Sequence, residues 1–198
     1  MKSAALKIII FCLLLFAAGC ASDVPKLHEI FPLPEGASCQ VAVLPFMNRG
    51  HYPNGADLFY KVFSAQLVTS AKFQLINEGD LVKIYRQLMI FPTDMPSDEQ
   101  MKIIANRLGV KMFISGDILR MNERRSGRQV YTELTLVIRF YDGESGKLLW
   151  ETYHKRRGQD YIKVLHFGRI NTLTGLARQM SDEIITLWFE KGMPECLE

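Results

Sequence analysis

The sequence predicts a single α/β (α+β) domain, a mixed β-sheet with helices packed on it, in the order β-α-β-α-α-β-β-β-α. Two observations predict this. Residues 39–109 switch between short apolar runs and stretches with apolar residues at helical spacing. Residues 110–157 instead alternate apolar and polar side chains about a turn signal, "GESG", as strands of a meander do. A length of 198 residues, 48% hydrophobic and 23% charged, suits one domain preceded by a leader and a linker.

The leader comes first. "MKSAALK" carries Lys2 and Lys7, and "IIIFCLLLF" follows from Ile8 to Phe16 without a charge. Nine apolar residues are too few to span a hydrocarbon core, which takes ~20 in a helix. Basic residues before such a run and small residues after it are the pattern of a secretory signal. The run ends on "AAGC", Ala17 to Cys20, which resembles the lipobox of bacterial lipoproteins. In that motif the Cys thiol takes the lipid, fatty acyl chains such as palmitate, and the chain is cut just before it. Ala17 stands where Leu is usual, so cleavage by the general signal peptidase is the alternative. Ala21 follows the Cys, not the Asp associated with inner-membrane retention. The resemblance implies lipid attachment at Cys20 and an outer-membrane location facing the periplasm. The expected layout is therefore a signal peptide over 1–19, a lipid-attached extended tether over 20–38, the domain over 39–192 and a short tail over 193–198.

The tether carries three prolines and no clean period. The domain opens with "CQVAVLPF", apolar enough for a strand buried on both faces. After the loop "NRGHYPNG", Phe59, Val62, Phe63 and Leu67 form a helical stripe. "FQLINE" reads as a short second strand. The next helix has Leu81, Ile84, Tyr85 and Leu88 on its inward face and Asp80 as N-cap. "FPTDMP" breaks the chain. Ser97 and Gln100 then form a capping box, and Gly109 ends the helix that buries Met101, Ile104 and Leu108. Three strands follow, over "VKMFISGDILRMN", "RQVYTELTLVIRFYD" and "KLLWETYHKRR". The final helix places Leu173, Leu176, Met180, Ile184, Leu187 and Trp188 on one stripe and stops at Gly192.

Charge and motif exclude several chemistries. There are 24 lysines and arginines against 21 acids, and the leader takes two of the lysines, so the mature chain is nearly balanced. That balance, without aromatic residues interleaved among basic ones, predicts no nucleic-acid partner. His28, His51, His154 and His166 are scattered, no Cys spacing matches zinc, and no metal or other cofactor is expected. "GESGKL" lacks the earlier Gly of a phosphate loop, with Tyr141 in its place, and Leu148 where Ser or Thr is needed. No nucleophile-and-base set is visible, and the expectation is a protein that is not an enzyme. Cys39 and Cys196 flank the domain in an oxidising compartment; they pair if the termini lie together and otherwise remain two thiols.

Two basic clusters remain. Arg120, Arg124, Arg125 and Arg128 precede the middle strand of the meander, and Lys155, Arg156 and Arg157 end the next. Antiparallel pairing puts both at one end of the sheet. They serve either as contacts for an acidic partner, whether lipid headgroups, glycan or protein, or as a solvated rim that protects an edge.

"VAVLPFMN", "FQLINEGDLVKIYRQL", "IIANRLGVKMFISGDI" and "LTLVIRFYDGESGKLLWE", in that order, resemble the motifs of a periplasmic α/β domain. It is found in curli-secretion channel lipoproteins (CsgG-like), in lipoprotein activators of penicillin-binding proteins (LpoB-like) and in the N-terminal domain of the Tol translocation protein. The resemblance implies an accessory factor in cell-envelope assembly that binds a periplasmic or outer-membrane protein through a strand edge and the "NRGHYPNG" loop. The alternative it implies is a homo-oligomeric ring subunit of a secretion complex. Where the channels insert long membrane hairpins, this chain has only "RMNERRSGRQ" and "RRGQDYIKVLHFGRI". A membrane hairpin needs two strands of ~9–11 alternating residues, so no pore is expected from this chain alone.

Overall fold

The computed structural model describes residues 24–37, 39–164 and 167–196. Six strands form one mixed sheet in the order β1-β6-β5-β4-β2, with β3 continuing β2 against β4. The strands are β1 (Lys26–Glu29), β2 (Val41–Val43), β3 (Met47–Asn48), β4 (Met112–Ser126), β5 (Gln129–Asp142) and β6 (Leu148–Arg157). β2 and β3 run parallel to β4, and the other pairs are antiparallel. Four helices pack on the sheet: α1 (Gly55–Thr69), α2 (Glu78–Gln87), α3 (Asp98–Leu108) and α4 (Leu173–Glu190).

The period-two alternation of the meander divides the helices between two faces. Ile114, Ile118, Leu134, Leu136, Ile138 and Phe140 point to one face and meet Phe59 and Phe63 of α1 and Trp188 of α4. Phe140 and Trp188 pack edge-on with centroids 4.4 Å apart, worth ~0.5–1.5 kcal/mol beyond area burial. On the other face, Ala42, Leu44 and Phe113 meet Leu81, Ile84 and Tyr85 of α2 and Met101 and Ile104 of α3. Helix ends follow local chemistry. The capping box of Ser97 and Gln100 forms in full, and Gly109 ends α3 at φ 68, a left-handed position that glycine adopts at little cost.

Three elements differ from the sequence reading. Within the segment read as an extended tether, Lys26–Glu29 belongs to the sheet and pairs with β6 from Lys26↔Tyr153 to Glu29↔Trp150, and Pro34 to Ala37 forms a turn. The open edge of β6 needs donors and acceptors, and a backbone ladder supplies them whatever the side chains. "FQLINE" is not a strand: it makes one bridge, Val41↔Leu75. Asn77 ends it at once by capping α2, its side chain accepting from the Gly79 N–H, so Asp80 is not the cap. "CQVAVLPF" is a strand only over Val41–Val43, and Pro45 within it separates β2 from β3, as a proline at a sheet edge does.

Candidate functional site

A groove of about 600 Å³ opens beside the β2–β3 edge, between α1 and α2, a volume typical of ligand and peptide sites. Phe46, Tyr60, Leu81 and Tyr85 line it, and the loop read as a contact adds Asn48 and Asn54 to its wall. Tyr85 is buried, and its hydroxyl has no hydrogen-bond partner among the described residues. Leaving such a group unpaired costs ~1–3 kcal/mol, which an incoming acceptor recovers. Burial pushes the Tyr60 hydroxyl up to about 12, helped by the charge of Glu78, and burial also raises Tyr85. Both tyrosines therefore stay protonated at neutral pH and offer O–H donors.

The rim of the groove is apolar and strained. Met89 and Phe91, chain neighbours of the lining residues Ile90 and Pro92, are 90% and 70% exposed. Met89 leaves α2 at φ 55, a left-handed conformation that costs a non-glycine residue ~1–2 kcal/mol. Sequence reasoning missed this groove. It marked Tyr85 as inward, and the visible signal was the apolar "LMIFP" in a loop, which a solvated connection does not need.

The basic clusters do lie at one end of the sheet, but they are not one surface. Arg156 shares the inward face of Trp150, Thr152 and His154. Its Nε donates to Glu183 at 3.1 Å, and its side chain is only 11% exposed. That alternation from Trp150 is the signal that marks Arg156 as internal. His154 Nε2 lies 2.6 Å from the same carboxylate. Since an ionised carboxylate only accepts, Nε2 carries the hydrogen. Burial alone raises the Glu183 carboxyl, but hydrogen bonds from His154 and Arg156 and the charge of Arg156 outweigh it and bring it down to about 2. Arg157 pairs with Asp160 at 3.2 Å. Arg120 and Lys155 flank Glu133, at 3.6 and 4.0 Å.

Arg124, Arg125 and Arg128 remain. They sit on a two-stranded ribbon where β4 and β5 run past the last paired residue of β6, Arg157↔Glu133. Gly127 turns the ribbon at φ 58, the position a two-residue hairpin reserves for glycine. None of the three makes an ion pair among the described residues. The Arg124 guanidinium lies 5.8 Å from the Tyr131 ring centroid and that of Arg169 lies 5.6 Å from it.

Elsewhere Asp117 accepts from Arg49 Nε at 2.9 Å and Arg139 at 2.5 Å, and Arg139 also donates to Glu151 at 2.6 Å. This row ties β4, β5 and β6 on the face that α2 and α3 leave partly open. Burial works against the charge of Asp117, and its hydrogen bonds from Arg139 and Arg49 hold the carboxyl below its usual range. Cys39 and Cys196 form a disulfide, with Cα atoms 5.1 Å apart. No group of three or more His, Cys, Asp or Glu side chains among the described residues is placed to hold a metal ion, and no described helix is long and apolar enough to cross a membrane. Cys20 and His166 lie outside the described residues.

No family model matches the chain, and no curated protein does. Among solved structures it is similar to the lipoprotein GNA1162 from Neisseria meningitidis, at 14% identity, 77% of this chain, 99% of that chain and a TM-score of 0.54. It is also similar to PelC, a dodecamer from Paraburkholderia phytofirmans, at 12% identity, 81% of this chain, 95% of that chain and a TM-score of 0.52. The C-terminal domain of LpoB from Escherichia coli matches at 17% identity over 61% of this chain and 82% of that one, with a TM-score of 0.46, too low to bear weight. The curli-channel side of the resemblance gains no support from these neighbours. At such identities the likeness concerns the fold, which this chain shares with GNA1162 and PelC.

Proposed function

We propose that the protein is a lipid-anchored, non-enzymatic accessory factor of the cell envelope, held by Cys20 in the outer membrane and facing the periplasm. Its α1–α2 groove takes an apolar segment of a protein partner that belongs to a secretion or appendage machine or to a wall synthase. The observation that carries the reading is the groove itself, with the unpartnered Tyr85 hydroxyl inside and Met89 and Phe91 exposed at its rim. An apolar side chain with a backbone carbonyl beside it satisfies both features. The neutral tyrosines suit binding and offer no base. The leader and "AAGC" support the anchor, and the fold shared with a lipoprotein, GNA1162, agrees with it.

A photo-crosslinker placed at Phe91, in the lipidated protein in its own membranes, tests this. The expected result is one defined adduct at Phe91 that is missing when the crosslinker stands at Val68, an exposed residue of α1. Equal labelling at the two positions, or none at Phe91, overturns the groove as the docking site. PelC, which shares the fold, is a dodecamer, and this favours a second reading in which the chain assembles with itself as an accessory ring. An adduct with the mass of two copies of this chain, and a multimer by light scattering, select that reading.

A further inference from the structure

We propose that the ribbon end of the domain is a membrane-facing surface that takes the anionic headgroups of phospholipids. The proposal rests on the lipid anchor at Cys20 and adds the orientation of the domain on the bilayer.

The first observation is the path of the chain. β1 runs antiparallel to β6, with Lys26 opposite Tyr153. Two residues earlier, Val24 is level with Lys155, so the chain enters the domain at the end of the sheet where the ribbon projects. Cys20 is four residues before Val24. Four residues of fully extended chain span at most about 14 Å. A lipid on Cys20 therefore holds this end, and no other, against the bilayer.

The second observation is charge. Arg124, Arg125 and Arg128 lie free of ion pairs among the described residues, with Glu123 the one acid on the overhanging ribbon. Arg169 adds a further cation, held beside Arg124 by the shared Tyr131 ring. The third is apolar exposure. Val164 and Phe167, on the loop that leads to Arg169, are 63% and 77% exposed. Basic residues around an exposed aromatic are the composition of an interfacial anchor, in which cations meet phosphate and the ring enters the acyl boundary. Each basic residue near an anionic surface strengthens binding about fivefold, so three together act on the order of a hundredfold.

The test places an indole at the surface. Phe167→Trp is introduced into the processed protein, which is then reconstituted in phosphatidylcholine vesicles with or without phosphatidylglycerol whose tails carry bromine. The parent protein, with only the buried Trp150 and Trp188, sets the background. We expect a blue shift and bromine quenching in the phosphatidylglycerol vesicles, both lost in R124E/R125E/R128E and kept in R124K/R125K/R128K. Near-UV circular dichroism verifies that each variant folds. An indole that stays unquenched, or quenching that charge reversal leaves unchanged, overturns the proposal. The mass of the mature chain reports the anchor separately. If Cys20 carries no lipid, the anchor reading fails by itself. Co-sedimentation of that unlipidated chain with the same vesicles then decides the surface, with binding weaker by at least about a hundredfold expected for the reversed triple variant, since the new glutamates are also repelled.

Discussion

Replacing Glu183 with Gln keeps the side-chain volume and removes one charge from the seam between β6 and α4. The carboxylate accepts from His154 at 2.6 Å and from Arg156 at 3.1 Å, and the three side chains are 18%, 0% and 11% exposed in that order. The variant leaves the Arg156 guanidinium without its anion in a nearly dry place. Removing one partner of a buried pair costs ~3–5 kcal/mol. A second route gives a similar figure. A carboxyl lowered from 4.5 to about 2 corresponds to ~3 kcal/mol, which solvent screening reduces to about 2. The expected loss is therefore about 2–4 kcal/mol, or roughly 5–12 °C in Tm for a chain of this size. The folded-state pKa is depressed, so this stability is present above about 4.5 and disappears as the pH falls towards about 2. The gap between parent and variant should close over that window. Urea unfolding at a series of pH values, followed by tryptophan fluorescence, measures it. Trp188 reports the same seam, its indole N–H donating to Thr152 Oγ1 at 2.8 Å. A variant within about 0.5 kcal/mol of the parent at neutral pH, as for an ordinary surface change, refutes the reasoning. So does a gap that persists undiminished into acid.

Cys20→Ala should release the protein from membranes or leave the precursor uncut, and unchanged fractionation together with unchanged mass counts against the anchor. Cys39 and Cys196 lie 157 residues apart, so their reduction should lower stability by about 5 kcal/mol on the chain-entropy account, strain reducing it. Two titratable thiols in the unfolded, unreduced mature protein contradict that pairing. The purified protein should give no discrete conductance in a planar bilayer. Arginine facing lipid at the midplane costs ~2–4 kcal/mol, and the ribbon offers Arg124, Arg125 and Arg128 with few apolar partners. Stable conductance steps from this chain alone would restore a channel role.

The parts of the fold that were legible were those written in local chemistry. Ser97 with Gln100, Gly109, and the alternation through Leu134, Leu136, Ile138 and Phe140 each specify their geometry within a few residues. β1 was not legible, because "KLHE" contributes mainly backbone to the edge of β6 and only Leu27 packs on the core. "FQLINE" misled for the opposite reason: Phe73 and Leu75 alternate as in a strand, while Asn77 recruits the next residues into α2. The groove draws on Phe46, Tyr60, Tyr85 and Pro92, which only the tertiary fold brings together. The basic clusters were found by composition, but composition counts Arg156 with the rest. The two-residue period of β6 is what turns it inward.

With the proposed lipid on Cys20, β1 also sets how far the domain can stand from the membrane. While β1 is paired, the six residues from Cys20 to Lys26 separate lipid from sheet, a leash of at most about 21 Å. After β1 the chain is held by the Ile30 and Phe31 N–H bonds to Leu149 and by the burial of Ala37, and its first covalent fastening is Cys39, bridged to Cys196. If β1 and the contacts from Ile30 to Ala37 both peel away, the leash runs from Cys20 to Cys39, 19 residues with a reach of about 65 Å. The β1 ladder and the contacts up to Ala37 therefore separate a domain resting on a membrane from one able to work well away from it, and a pull along such an anchor loads the β1 ladder first.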